Sequence, residues 1–334
     1  MKERRQTISE IYQQGKENLE KGGYKWHYPP DSEIGLSVRM NRKYLDSLFF
    51  EPRFLDPVEA DTTWSFLGIT LKTPVFCSPI SQRDFVSEDG LVDIARGVSR
   101  AGGLMMLGIG GSGELQRSID LGAKVVKMVK PYRKTDLIYK KIDEAESRGC
   151  VAVGMDIDHF YGRLVGDRVD RDDIFGPQKT EELKQMISGT KLPFIIKGVL
   201  SQADAEKSIQ IGAAAVVVSN HGSAAVDFTV PSMIALPGIV ERIGQKSTVL
   251  VDTGFKTGND VLKALATGAR AVGFASSMLL AYAASGATGV ELLINQMTAE
   301  LKRTMAATGC ANLASIDRSI LRGALFAGSG RFPE

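Results

Sequence analysis

Cysteine is scarce in this chain of 334 residues: Cys77, Cys150 and Cys310 stand far apart and form no C-x-x-C pair. No disulfide framework or metal motif is read from them, and a reducing compartment is expected. An excess of one charge is also lacking. Lysine and arginine number 41 against 39 acidic residues, a net charge of +2, which gives no electrostatic footprint for nucleic acid. The opening Met1-Lys-Glu-Arg-Arg-Gln leads into a charged helical pattern without a signal-peptide core. No run elsewhere reads as long enough to cross a bilayer, so a cytoplasmic protein with no membrane partner is expected. Histidine is rare as well, limited to His27, His159 and His221.

What is present suits a large core. Hydrophobic residues make up 43% and charged residues 24%, ordinary for a soluble globular chain. The length fits one (β/α)8 barrel with an N-terminal extension, and the division expected is a helical extension over 1–60 and a barrel over 61–334. Ile8, Ile11, Tyr12 and Leu19 predict one amphipathic helix, and Val38, Asn41, Tyr44, Leu45 and Leu48 a second. Gly22-Gly23 and Pro29-Pro30 separate them. The run from Trp64 to Leu71 predicts a hairpin closing the barrel bottom.

Eight short apolar runs rich in β-branched residues then alternate with helical patterns. The first four are 74–78, 104–107, 124–128 and 151–156. The second four are 193–197, 213–219, 248–252 and 270–275. Runs of this kind read as strands buried on both faces, and eight alternations leave a doubly wound sheet as the main rival. That rival calls for a glycine-rich turn after the first strand, which Cys77-Ser78-Pro79-Ile80-Ser81 is not. Ser201 to Asp204 reads as a helix start, and the last helix is expected over roughly 290–307. The long polar loop 157–179 reads equally as a lid or as a surface excursion.

The polar residues fall at the carboxyl ends of the runs, the face where barrel active sites are built. His221 ends a run beside Gly222, which permits close backbone approach, and is the candidate general base. His27 reads as structural and His159 as solvated. Lys197 also ends an apolar run. Burying an ammonium is costly, so it implies an anionic or electron-rich ligand, or a salt bridge to Asp156 or Asp252. Asp252 to Gly258 followed by Ala275-Ser276 has the layout of a barrel phosphate site, with Lys256 adding charge.

These motifs together resemble the FMN-dependent α-hydroxy-acid oxidases and dehydrogenases, the family of lactate oxidase, glycolate oxidase and mandelate dehydrogenase. The resemblance rests on Pro193-Phe-Ile-Ile-Lys-Gly-Val-Leu, on Ser219-Asn-His-Gly with Asp227 beyond, and on the stretch from Val251 to Ala269. The closing segment 305–321 is similar too, and likeness extends from about Arg42 to Leu321. It implies an FMN-binding barrel acting on a small-molecule substrate, and favours a homotetramer. Pro79, Ile80 and Ser81 would lie along the flavin ring, with Lys197 near its N1 and O2 edge and Ser219 close by. Gly108, Lys127 and Gly222 complete the expected ring contacts, and Asp252, Gly254, Lys256, Ala275 and Ser276 would surround the phosphate. His221 would take a proton while a hydride passes to flavin N5, and Asp156 would stabilise the imidazolium.

The departures from the family bear on the substrate. Ala224 stands where the family has a carboxylate-clamping arginine, which removes about 2 to 5 kcal/mol of recognition unless Arg163 or Arg168 replaces it. Lys127 and Val129 are read at the places of a glutamine and a tyrosine on the third strand. Two alternatives to hydroxy-acid oxidation are carried. One is an FMN-dependent isomerase of the type-2 isopentenyl-diphosphate kind, and the other is a catalytically silent flavin- or phosphometabolite-binding barrel.

Overall fold

The computed structural model describes residues 6–24, 34–80, 87, 89–109, 111–160, 174–223 and 226–323. Helix α1 (Ile8–Lys21) begins at a capping box, in which the Thr7 hydroxyl accepts from the Glu10 N–H while the Glu10 carboxylate accepts from the Thr7 N–H. Its buried stripe is Ile11, Gly15 and Leu19. Helix α2 (Leu36–Asp46) has no side-chain cap of its own. Asp227 supplies one from across the chain, accepting from the Leu36 and Ser37 N–H groups at 3.1 and 2.9 Å.

Strand β1 (Leu48–Phe50) comes next, then the hairpin of β2 (Trp64–Phe66) and β3 (Ile69–Leu71). Leu67 and Gly68 at its tip both have positive φ, which matches the twist of a two-residue hairpin loop. The alternating part follows: β4 (Val75–Cys77), α3 (Gly90–Ala101), β5 (Leu104–Leu107), α4 (Ser112–Asp120), β6 (Lys124–Val129), α5 (Thr135–Ser147), β7 (Ala152–Asp156) and α6 (Thr180–Ser188). It continues with β8 (Phe194–Val199), α7 (Gln202–Gln210), β9 (Ala215–Val218), α8 (Ser232–Ile243), β10 (Thr248–Asp252), α9 (Gly258–Ala266), β11 (Val272–Phe274) and α10 (Ser276–Ala307). Strand β12 (Leu321–Gly323) pairs antiparallel with β1. Strands β4 to β11 close into a barrel in sequence order, every neighbour parallel, as expected for a (β/α)8 fold.

Strand parity divides the core in two. Phe76, Leu104, Met106, Val126, Met128, Ile195, Val217 and Leu250 fill the barrel interior, which Trp64, Phe66 and Leu71 of the hairpin close from below. The alternate residues, among them Met105, Val125, Val129, Val153 and Val251, pack outward against the helices. All three cysteines are buried and free. Burial pushes the Cys150 thiol up to about 11 and raises that of Cys77 as well, so neither is a nucleophile at neutral pH.

Helix α10 differs from expectation in two ways. It starts at Ser276 rather than near residue 290, and by length and composition it passes as a possible membrane span. It is instead broken at Ser285–Gly286 and packs against α1 and α3 as a core helix.

Parity also corrects the reading of β6. Lys127 shares the outward face of Val125 and Val129, and its Nζ donates to the Gly108 carbonyl at 2.7 Å. It faces Lys141 and Glu144 of α5, not the barrel interior, so neither Lys127 nor Val129 takes the flavin or substrate place assigned from the sequence. A one-residue slip in register exchanges the two faces of a strand. Burial pushes the Lys127 ammonium down to about 8. The unfolded chain therefore binds more protons between pH 8 and 10.5, and the penalty is full below that window and relieved as pH rises through it. Lys127→Met is expected to stabilise the fold by roughly 1 to 2 kcal/mol at pH 7, after allowance for the unpaired Gly108 carbonyl, with the gain shrinking by pH 10. Urea unfolding at the two pH values measures it.

Candidate active site

The same parity sends a polar residue from six of the eight strand ends into the mouth: Ser78, Lys130, Asp156, Lys197, Ser219 and Asp252 all continue inward-facing rows. They form a buried row of alternating charge. Lys130 Nζ donates to Asp156 Oδ2 at 2.8 Å, Asp156 Oδ1 lies 3.3 Å from Lys197 Nζ, and Lys197 Nζ lies 3.6 Å from Asp252 Oδ2. Ser78 Oγ and Thr253 Oγ1 donate to the two oxygens of Asp252. Burial by itself disfavours the charges. For Lys197 it is outweighed by Asp252, Asp156 and Asp158, which hold the ammonium's pKa above its ordinary value. For Asp156 it is outweighed by Lys130, Lys197 and His221, which hold the carboxyl well below the usual range.

Ser219 Oγ accepts from Lys197 Nζ and from the His221 backbone N–H, both at 3.1 Å, tying base and ammonium together. His221 has φ 53° and Gly222 φ 65°, a left-handed turn that is unfavourable for a histidine and turns its ring onto the mouth. His221 Nδ1 lies 3.2 Å from Asp158 Oδ1 and 3.5 Å from Lys197 Nζ. The imidazole partner is thus Asp158, not Asp156, whose oxygens are taken up by two lysines. Gly198 makes room for this: it has φ 98°, and a Cβ there would meet Asp158 Cγ at 2.5 Å. His159 is half-buried rather than free in solvent. Its ring lies 5.0 Å from His221 and 5.7 Å from Phe175, and burial, then Lys130, push its pKa far down, so it is neutral.

A cavity of about 380 Å³ opens at this mouth. Of the residues expected from sequence, Pro79, Lys197, His221, Gly222, Asp252, Gly254, Lys256, Ala275 and Ser276 line it. Ile80, Ser219 and Asp156 are buried behind its wall, and Gly108 is occupied by Lys127. Ser81, Arg163, Arg168, Ala224, His27 and most of the loop 157–179 lie outside the described residues. The sequence reading missed Lys130, Asp158, Ser78 and the cavity walls contributed by Tyr12, Lys16, Asn41 and Arg42. The sequence set Asp158 apart in no way from the other acidic residues of the loop 157–179; its place beside Gly198 is visible only in the structure.

The cavity's far end suits a phosphate. Thr253 and Gly254 have φ 83° and 86°, turning the loop after β10 around the site. Ala275 gives α10 no side-chain cap among the described residues, so the first N–H groups of that helix are available beside Lys256. A buried ammonium with an imidazole beside it, and a phosphate cradle on the same cavity, define a barrel that binds a phosphorylated ring cofactor next to a base.

The chain matches the family described as FMN-dependent dehydrogenase over residues 17–171 and 170–323. It is 26% identical to Glycolate oxidase 3 of Arabidopsis thaliana, with 95% of each chain covered. It is 27% identical to Glycolate oxidase of Spinacia oleracea, with 94% of each covered. The crystal structure of mandelate oxidase with (S)-2-phenylpropionate superposes with a TM-score of 0.83 at 26% identity, covering 93% of this chain and 97% of that one. The chain belongs to the FMN-dependent dehydrogenase family and is an oxidoreductase with FMN as its cofactor. Pro79, Lys197, Asp252, Gly254, Lys256 and the start of α10 would hold that group.

Removing Lys130 leaves Asp156 with one ammonium instead of two. Lys130→Met is expected to destabilise the fold by about 3 kcal/mol, opposite in sign to Lys127→Met three residues earlier on the same strand. Parallel denaturant curves of the two variants give the comparison.

Proposed function

We propose that the chain oxidises a 2-hydroxy acid to the 2-oxo acid, with His221 as the base. The observation that carries this reading is His221 on the cavity wall, with Nδ1 on Asp158 and the Lys197 ammonium 3.5 Å away. With Nδ1 committed to Asp158, Nε2 is the nitrogen that takes the substrate's hydroxyl proton. Asp158 holds the ring orientation and stabilises the imidazolium that results. When bound, FMN supplies the acceptor for the hydride that leaves the substrate carbon.

Lys197 stays cationic through the cycle because Asp252 and Asp156 hold its proton, and it sets a positive potential where negative charge develops. Gly222 leaves the wall beside His221 open for substrate to approach. Arg163 is the proposed clamp for the substrate carboxylate. Relatives named glycolate oxidase and mandelate oxidase support hydroxy-acid oxidation over the isomerase and silent-barrel alternatives.

Glycolate, lactate, mandelate and longer 2-hydroxy acids, added anaerobically to the yellow protein, are expected to bleach the flavin band with at least one of them. No bleaching across the panel sinks the reading. His221→Ala should abolish that reduction with the resting absorbance intact, and Asp158→Asn should slow it about 100-fold in stopped flow. Arg163→Met is expected to raise KM tenfold or more while leaving FMN content unchanged.

A further inference from the structure

Four cations line the cavity among the described residues: Lys16, Arg42, Lys197 and Lys256. Two are consumed by the fold. Lys197 belongs to the buried charge row, and Arg42 grips both oxygens of Asp260 at 2.7 and 2.9 Å while also meeting Asp46. Lys16 and Lys256 are exposed and enter no ion pair among the described residues. Both belong to the end of the cavity where the uncapped α10 begins.

Lys16 is brought there by the way α1 lies on α10. Gly15 permits the contact, since a Cβ on it would fall 2.1 Å from the Leu280 carbonyl oxygen. Asn18 Nδ2 donates to the Ala283 carbonyl at 2.9 Å, and Gln296 Nε2 donates to the Gln6 carbonyl at 2.9 Å, pinning both ends of the helix. Tyr12, one turn before Lys16 and therefore on the same face, donates its hydroxyl to the Lys256 carbonyl at 2.6 Å. Helix α1 thus holds the phosphate loop and presents a cation beside it.

We infer that α1 is part of the cofactor site and that Lys16 and Lys256 together neutralise the FMN phosphate over the start of α10. The inference rests on the FMN reading above. A dianion at a helix start with one lysine would be half compensated, and among the described residues Lys16 is the remaining cavity cation without a carboxylate partner.

The test titrates the full-length chain, stripped of flavin, with FMN and with riboflavin, which carries the same ring and no phosphate. Lys16→Gln is expected to weaken FMN about tenfold by flavin fluorescence and to leave riboflavin affinity unchanged. Lys16→Arg should restore FMN affinity, and the salt dependence of FMN binding should be shallower in Lys16→Gln than in the parent. An unchanged FMN affinity in Lys16→Gln, or equal weakening of both ligands, overturns the inference. A parent chain that binds neither ligand overturns the flavin reading itself, and this inference with it.

Discussion

The structure depends on four charges buried in the mouth of the barrel in the order Lys130, Asp156, Lys197, Asp252. Taking any one of them out of water alone costs several kcal/mol, and only the alternation of sign makes the set tolerable. The arrangement fixes Lys197 as a cation whatever occupies the cavity, because its proton is held from both sides. A site that must accept electrons benefits from a charge that needs no reorganisation when the reaction occurs. The same row draws Asp156 away from the base, and a second carboxylate, Asp158, takes the imidazole.

Two glycines let backbone and side chains approach at the points this requires. Gly198 gives up its Cβ to Asp158, and Gly15 gives up its own to the carbonyl of Leu280, so that α1 lies flat on α10. The N-terminal helix is therefore not an appendage laid on a finished barrel. It lends Tyr12 to the loop after β10, and α2 is in turn capped by Asp227, which lies beyond the catalytic turn. Segments far apart in sequence are bound to the mouth by a few hydrogen bonds each.

Much of this was legible from the residues. Each of the eight runs became a strand, because a segment buried on both faces must be continuously apolar, and that pattern is read without knowing its neighbours. His221 beside Gly222, and Lys197 closing an apolar run, were visible as anomalies of composition. Lys127 and Lys130 were not distinguishable that way. Both are lysines on one strand, and which of them enters the barrel depends on the register of β6 against its neighbours. The partner of His221 was misread for a similar reason: Asp156 and Asp158 lie two residues apart, and two lysines claim the first.

The sequence by itself determined the eight barrel strands and the helices between them, the polar face of the barrel and the candidate base, because these follow from periodicity and from the cost of burying polar groups in an apolar run. The pair of β1 and β12 was not read, and Leu48 was expected in a helix. The tertiary structure alone decided which charges meet. Pairing between Lys130 and Asp156, or between α1 and the phosphate end of the cavity, joins residues 26 apart in one case and more than 200 in the other. Electrostatic energy falls within a few ångströms, and that separation is set by closure of the barrel and not by any local pattern.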